Sequence, residues 1–109
     1  MCQYRTLFHD DHTGFVIKCQ DCDHLHVGFG NLVVILERPA FEQFRVWLHR
    51  LELEIAPSQH PSVRSFRLPT PCEGVQWLLS AHELRELVAM LDSADTELRT
   101  QELLQLFEY

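Results

Sequence analysis

His24-Leu25-His26-Val27-Gly28-Phe29-Gly30-Asn31-Leu32-Val33-Val34-Ile35-Leu36 is the stretch on which the fold turns. Leu25, Val27 and Phe29 alternate with His24, His26 and Gly28, the two-residue period of a half-buried strand. Gly30-Asn31 then supplies a two-residue hairpin turn, because both residue types accept a positive φ at low cost. Leu32 to Leu36 is apolar throughout and rich in β-branched residues, which predicts a strand central in the sheet.

Upstream, the strand-like runs Tyr4 to His9 and Phe15 to Cys19 flank the turn Asp10-Asp11-His12-Thr13-Gly14. Antiparallel register around that turn brings position 2 beside positions 19–22. Downstream, Pro39 opens a helix at a position where its missing N–H is harmless. Phe41, Phe44, Leu48, Leu51 and Ile55 form one apolar stripe, with Trp47 at its border and Glu42, Arg45, His49 and Glu52 on the wet side. Pro57 and Pro61 mark a loop. A second hairpin, Val63 to Leu68 and Val75 to Leu79, surrounds Pro69-Thr70-Pro71-Cys72-Glu73-Gly74.

Ser80 and Glu83 have the spacing of a capping box, so a helix starts near residue 81 and buries Leu84, Leu87, Val88 and Leu91. Asp92-Ser93-Ala94-Asp95 is a candidate break before a last helix ending in Leu103, Leu104, Leu106 and Phe107. The expected order is ββββ-α-ββ-αα, a single α+β domain over residues 1–109 with an antiparallel sheet packed on helices. Trp47 and Trp77 read as core residues.

No apolar run exceeds five residues in the 109-residue chain, so no segment predicts a membrane span. Met1-Cys2-Gln3-Tyr4-Arg5 lacks the apolar stretch of a secretory signal, which makes the cytoplasm the expected compartment. Net charge is −7, and it is uneven: residues 1–72 carry eight acidic against seven basic groups, residues 73–109 eight against two. An acidic C-terminal third without a basic stripe elsewhere argues against nucleic acid.

The chemistry-bearing residues are thiols. Cys19 and Cys22 form a C-x-x-C knuckle, and hairpin register adds Cys2. A tetrahedral zinc site needs a fourth ligand. Cys72 fits because an all-thiolate site then uses every cysteine, and its proline-flanked turn would present it rigidly. His24 is the alternative, requiring no long-range contact. Two other readings compete. Buried thiols can be inert packing residues. A reversible thiol-redox or metal-transfer pair needs a helix at its first cysteine to lower the thiol pKa, whereas a strand pattern follows here. His9-Asp10-Asp11-His12 reads as a solvated turn and His82 as an exposed first-turn residue. The chain contains no nucleophile elbow, H-E-x-x-H pair or phosphate loop, which tilts the expectation toward a non-enzyme.

Met1-Cys2-x-Tyr4-Arg5-x-Leu7-Phe8, Cys19-x-x-Cys22, Val27-x-Phe29-Gly30-Asn31, Pro69-Thr70-Pro71-Cys72 and Glu83-Leu84-x-x-Leu87 together resemble an uncharacterised family of short bacterial proteins, known chiefly from Bacteroidetes. The likeness runs over nearly the whole chain. It implies a bacterial cytosolic protein and transfers no catalytic residues.

The function expected from these features is a protein-interaction module stapled by structural zinc at Cys2, Cys19, Cys22 and Cys72. A Cys19/Cys22 redox protein and a metal-free interaction domain are the alternatives. The apolar cluster at the C-terminus cannot fit on one helical stripe, since positions 104 and 106 lie about 200° apart. One side is expected to pack internally; the other is expected either to bind a protein partner or form a homodimer, or to be covered within the monomer by a neighbouring loop such as residues 56–62.

Overall fold

The structure, a computed structural model, describes residues 3–107. Its elements are β1 (Tyr4–Asp10), β2 (Gly14–Cys19), β3 (His24–Phe29), β4 (Leu32–Glu37), α1 (Arg38–Leu53), β5 (Arg64–Pro69), β6 (Gln76–Ser80) and α2 (Ala81–Gln105). β1 to β4 form an antiparallel meander in sequence order, and β5 and β6 form a separate two-stranded ribbon. The class is α+β, as expected.

Alternation sets the two faces of the large sheet. Val16, Val27 and Val34 lie opposite one another on the inner face, where Leu25 also meets Leu36. All five are buried. Against them pack Phe41 and Leu48 of α1, Leu84, Leu87, Leu91 and Leu98 of α2, and Leu68 and Trp77 of the ribbon. Each such side chain contributes about 1.5–3 kcal/mol by leaving water. On the outer face, Thr6, Ile17, His26 and Ile35 make one cross-strand row, and Phe15, Gly28 and Val33 another. A Cβ at Gly28 would meet the Phe15 ring, which lies over that position. Gly30, at φ +64°, is the residue of the β3–β4 turn that uses the left-handed region.

Two expectations about the elements are corrected. β4 is an edge strand, paired among the described residues with β3 alone. Its apolar run reflects burial of Val34 and Leu36 on the inner face, while Val33 and Ile35 stand about half exposed at 52% and 51%. The expected break at residues 92–95 is absent, and α2 runs unbroken to Gln105. Asp92 and Asp95 have weak helix propensity, but they receive ion pairs from Arg45 of α1, and Arg99 reaches Asp95 at 2.9 Å one turn on. Tertiary pairing outweighs propensity here.

Those ion pairs correct the wet side of α1 as well. Arg45 and Glu42 face α2, and the Arg45 side chain is only 17% exposed. Trp47, expected in the core, remains 38% exposed beside Phe44, whereas Trp77 is buried and donates its indole N–H to the Phe29 carbonyl at 3.3 Å. No described helix is long and apolar enough to cross a membrane.

Candidate functional site

Cys19 ends β2 fully buried, and the chain reverses through Gln20 to Asp23 into β3. Backbone and side-chain bonds tie this knuckle to the start of β1: Gln20 N–H donates to the Gln3 carbonyl at 2.7 Å, and Gln3 N–H to Asp21 Oδ2 at 3.1 Å. The Lys18 ammonium donates to the Cys19 carbonyl at 3.0 Å and lies 3.5 Å from that of Cys22. Arg38 N–H reaches the Asp23 carbonyl at 3.0 Å, so the knuckle also anchors the entry to α1.

Cys22 Sγ lies 3.5 Å from His24 Nδ1. At that distance the thiol and the imidazole are hydrogen-bonded, the donor depending on the imidazole tautomer, and the same spacing suits two ligands of one ion. Ligands at about 2.3 Å (sulfur) and about 2.0–2.1 Å (nitrogen) from one tetrahedral zinc stand about 3.5 Å apart. Cys2 lies outside the described residues. Cys72 sits elsewhere, on the β5–β6 turn, where its N–H donates to Thr70 Oγ1 at 3.2 Å and its thiol to the Glu73 carbonyl at 3.7 Å. It lines a groove with Leu32 to Ile35 of β4, whereas the knuckle closes the far end of β2 and β3. Among the described residues no three His, Cys, Asp or Glu side chains gather as a metal-holding group. Cys72 is therefore not brought to Cys19 and Cys22, while His24 is brought to Cys22.

The other histidines follow expectation in part. In the first turn, Asp10 Oδ1 accepts from the N–H groups of His12 and Thr13, and those two bonds, His12 first, hold its carboxyl below the usual aspartate value. His82 is exposed and pairs with Glu86 at 3.1 Å. His26 is half-buried edge-on to the Tyr4 ring, with centroids 5.0 Å apart.

A family model described as Family of unknown function (DUF6686) matches residues 1–109. The chain belongs to that family. No curated protein and no solved structure matches it. Within this family member, the most connected polar cluster is one that sequence reading missed. Arg45 bonds Glu42 at 2.7 Å and Asp92 at 3.0 Å and lies 3.6 Å from Asp95, while His49 contacts Asp92 at 2.7 Å. The Glu42 bond above all keeps the Arg45 guanidinium charged, against the desolvation of its partly buried site, and it lowers the Glu42 carboxyl. Asp95 is buried, and its Oδ1 has no hydrogen-bond partner among the described residues. Arg45 and His49 of α1 reach Asp92 and Asp95 of α2, and Glu42 lies 3.8 Å from Arg99 of α2, so the cluster reads as an interhelical clamp. The available signal was the i, i+3 spacing of Glu42 and Arg45; their partners lie some 50 residues on.

Proposed function

We propose that this chain is a non-catalytic protein-interaction module whose first hairpin is stapled by a structural zinc at Cys19, Cys22, His24 and Cys2. The single observation that carries the metal is the Cys22–His24 separation of 3.5 Å, the spacing of two ligands on one tetrahedral ion. Supporting it, Gln3 is bonded across to Gln20 and Asp21, and Cys2 is peptide-linked to Gln3. Four protein ligands leave no open position on the ion, so the staple binds and stiffens without hydrolysing.

The interaction half of the proposal is supported by the end of α2. Leu103, Leu104, Leu106 and Phe107 are 56%, 59%, 65% and 78% exposed, and nothing else in the described chain covers them. A contiguous apolar cluster of that kind marks a partner surface.

Metal analysis of untagged protein, purified without chelator and in reducing buffer, should give close to one zinc per chain. Cys22→Ser and His24→Ala should each release it, and Cys72→Ser should retain it. Stoichiometric absence of metal would overturn the staple. Loss of zinc from Cys72→Ser alone would instead restore the all-thiolate set.

A further inference from the structure

The two edges of the large sheet are built differently. β1 carries a bulge at Leu7, where the register shifts between Thr6 and Phe8, together with Arg5, His9 and Asp10. A bulge and charges are the devices by which exposed edges avoid pairing. β4 has no bulge, and its one charged residue, Glu37, stands at its end. Its register against β3 is unbroken from Leu32 to Glu37, and its first five residues are apolar.

The unused hydrogen-bonding groups of β4 follow from its turn. Phe29 and Leu32 close a two-residue hairpin, so Leu32, Val34 and Leu36 direct their backbone groups to β3, and Val33 and Ile35 direct theirs outward. No backbone bond outside the regular elements involves Val33 or Ile35 among the described residues. Beside this edge runs a groove of about 450 Å³, walled on its other side by Thr70, Pro71, Cys72 and Val75. β4 thus has a central strand's sequence in an edge position.

We infer that a second copy of this chain occupies that edge, by antiparallel pairing of β4 with β4 about a two-fold axis through Val34. The strand's own sequence selects this occupant. Centring on Val34 sets Val33 opposite the partner's Ile35 twice, each pair joined through the outward backbone groups. On the inner face it sets half-buried Leu32 opposite the partner's Leu36. Glu37 falls opposite the partner's Asn31, so no like charges meet. Centring on Ile35 would instead oppose Glu37 to Val33. The self-pairing is closed and isologous, giving one eight-stranded sheet with β4 in its middle. It does not depend on the zinc staple, and it leaves the end of α2 for a different protein.

Light scattering at about 100 µM should give the mass of two 12.8 kDa chains. The double variant Val33→Lys with Ile35→Lys places lysine opposite lysine and should halve that mass. Val33→Lys with Ile35→Glu places opposite charges together in the Val34-centred register and should remain dimeric. Ile35→Pro, which removes one outward N–H and no bond to β3, should also give monomers. Thermal unfolding with circular dichroism should show each variant folded, and any that is not is replaced by Val33→Lys alone. A monomeric wild type, a dimer untouched by these variants, or a dimer separated by Leu104→Glu instead would overturn the inference.

Discussion

From Ala81 to Leu98 α2 presents a buried residue at almost every inward position, yet from Glu102 to Phe107 every residue is exposed. The apolar pattern persists across both halves, so composition does not explain the contrast. Length does. Twenty-five helical residues extend about 37 Å, while a seven-residue strand extends about 23 Å. α2 starts against the β5–β6 ribbon and packs on β1 and β2, and by Gln105 it has reached the knuckle end of those strands, beside Arg5, Lys18 and Asp21. Leucines in the first half meet a facing layer; leucines in the last turn do not. An apolar stripe predicts burial only where another element reaches it.

The sharpest way to break the contrast is to empty the covered half. Leu87→Ala or Leu91→Ala, both fully buried, should cost about 2–5 kcal/mol by loss of transfer energy and cavity formation. Urea unfolding with an unchanged slope would read this as a fall in midpoint. A smaller loss is expected at the helix start. Glu83 N–H donates to Ser80 Oγ at 3.1 Å while Ser80 N–H donates to Glu83 Oε1 at 2.9 Å, a reciprocal cap. Ser80→Ala should remove about 1 kcal/mol in the same measurement.

Local signals carried much of this fold. The turn at Gly30, the capping box at Ser80 and the alternation of Leu25, Val27 and Phe29 each act within a few residues, so the chain states them directly. The failures share a cause. Whether Leu32 to Leu36 lies at the centre or the edge depends on whether another strand joins it, and no residue within β4 encodes that. The continuity of α2 through Asp92-Ser93-Ala94-Asp95 depends on Arg45, some 50 positions earlier. The knuckle was legible as a local reversal with His24 close by. Placing Cys72 needed the path of the ribbon, which the sequence of the turn does not contain.

Acid should act on the covered half before the overhang. Arg64, hydrogen-bonded at 2.9–3.0 Å, is the main cause that lowers the Glu83 carboxyl from 4.5 to about 2, with the Ser80 backbone adding to it. A carboxyl whose folded pKa is depressed contributes stability that is present above its unfolded value. That contribution fades as pH falls from about 4.5 toward about 2. Because Arg64 is 63% exposed, the effect is small and screened by salt. Midpoints measured between pH 5 and pH 2.5 should drop less for Arg64→Ala than for the wild type. Equal slopes would place the acid sensitivity in other carboxylates.

The smallest effect is expected at the overhang, where it is also most diagnostic. Leu104 is 59% exposed at the far end of α2, and Leu106 is 65% exposed. A glutamate at either position leaves no cavity and buries no charge, so Leu104→Glu and Leu106→Glu should each change monomer stability by no more than about 0.5 kcal/mol. A carboxylate near a helix C-terminus faces the negative end of the dipole, which sets the expected sign as slightly destabilising. If either variant instead cost as much as Leu91→Ala, the end of α2 would belong to the core, and the geometric overhang would be wrong. If both are neutral in the monomer, the four apolar side chains remain a surface whose stabilising contact lies outside this chain.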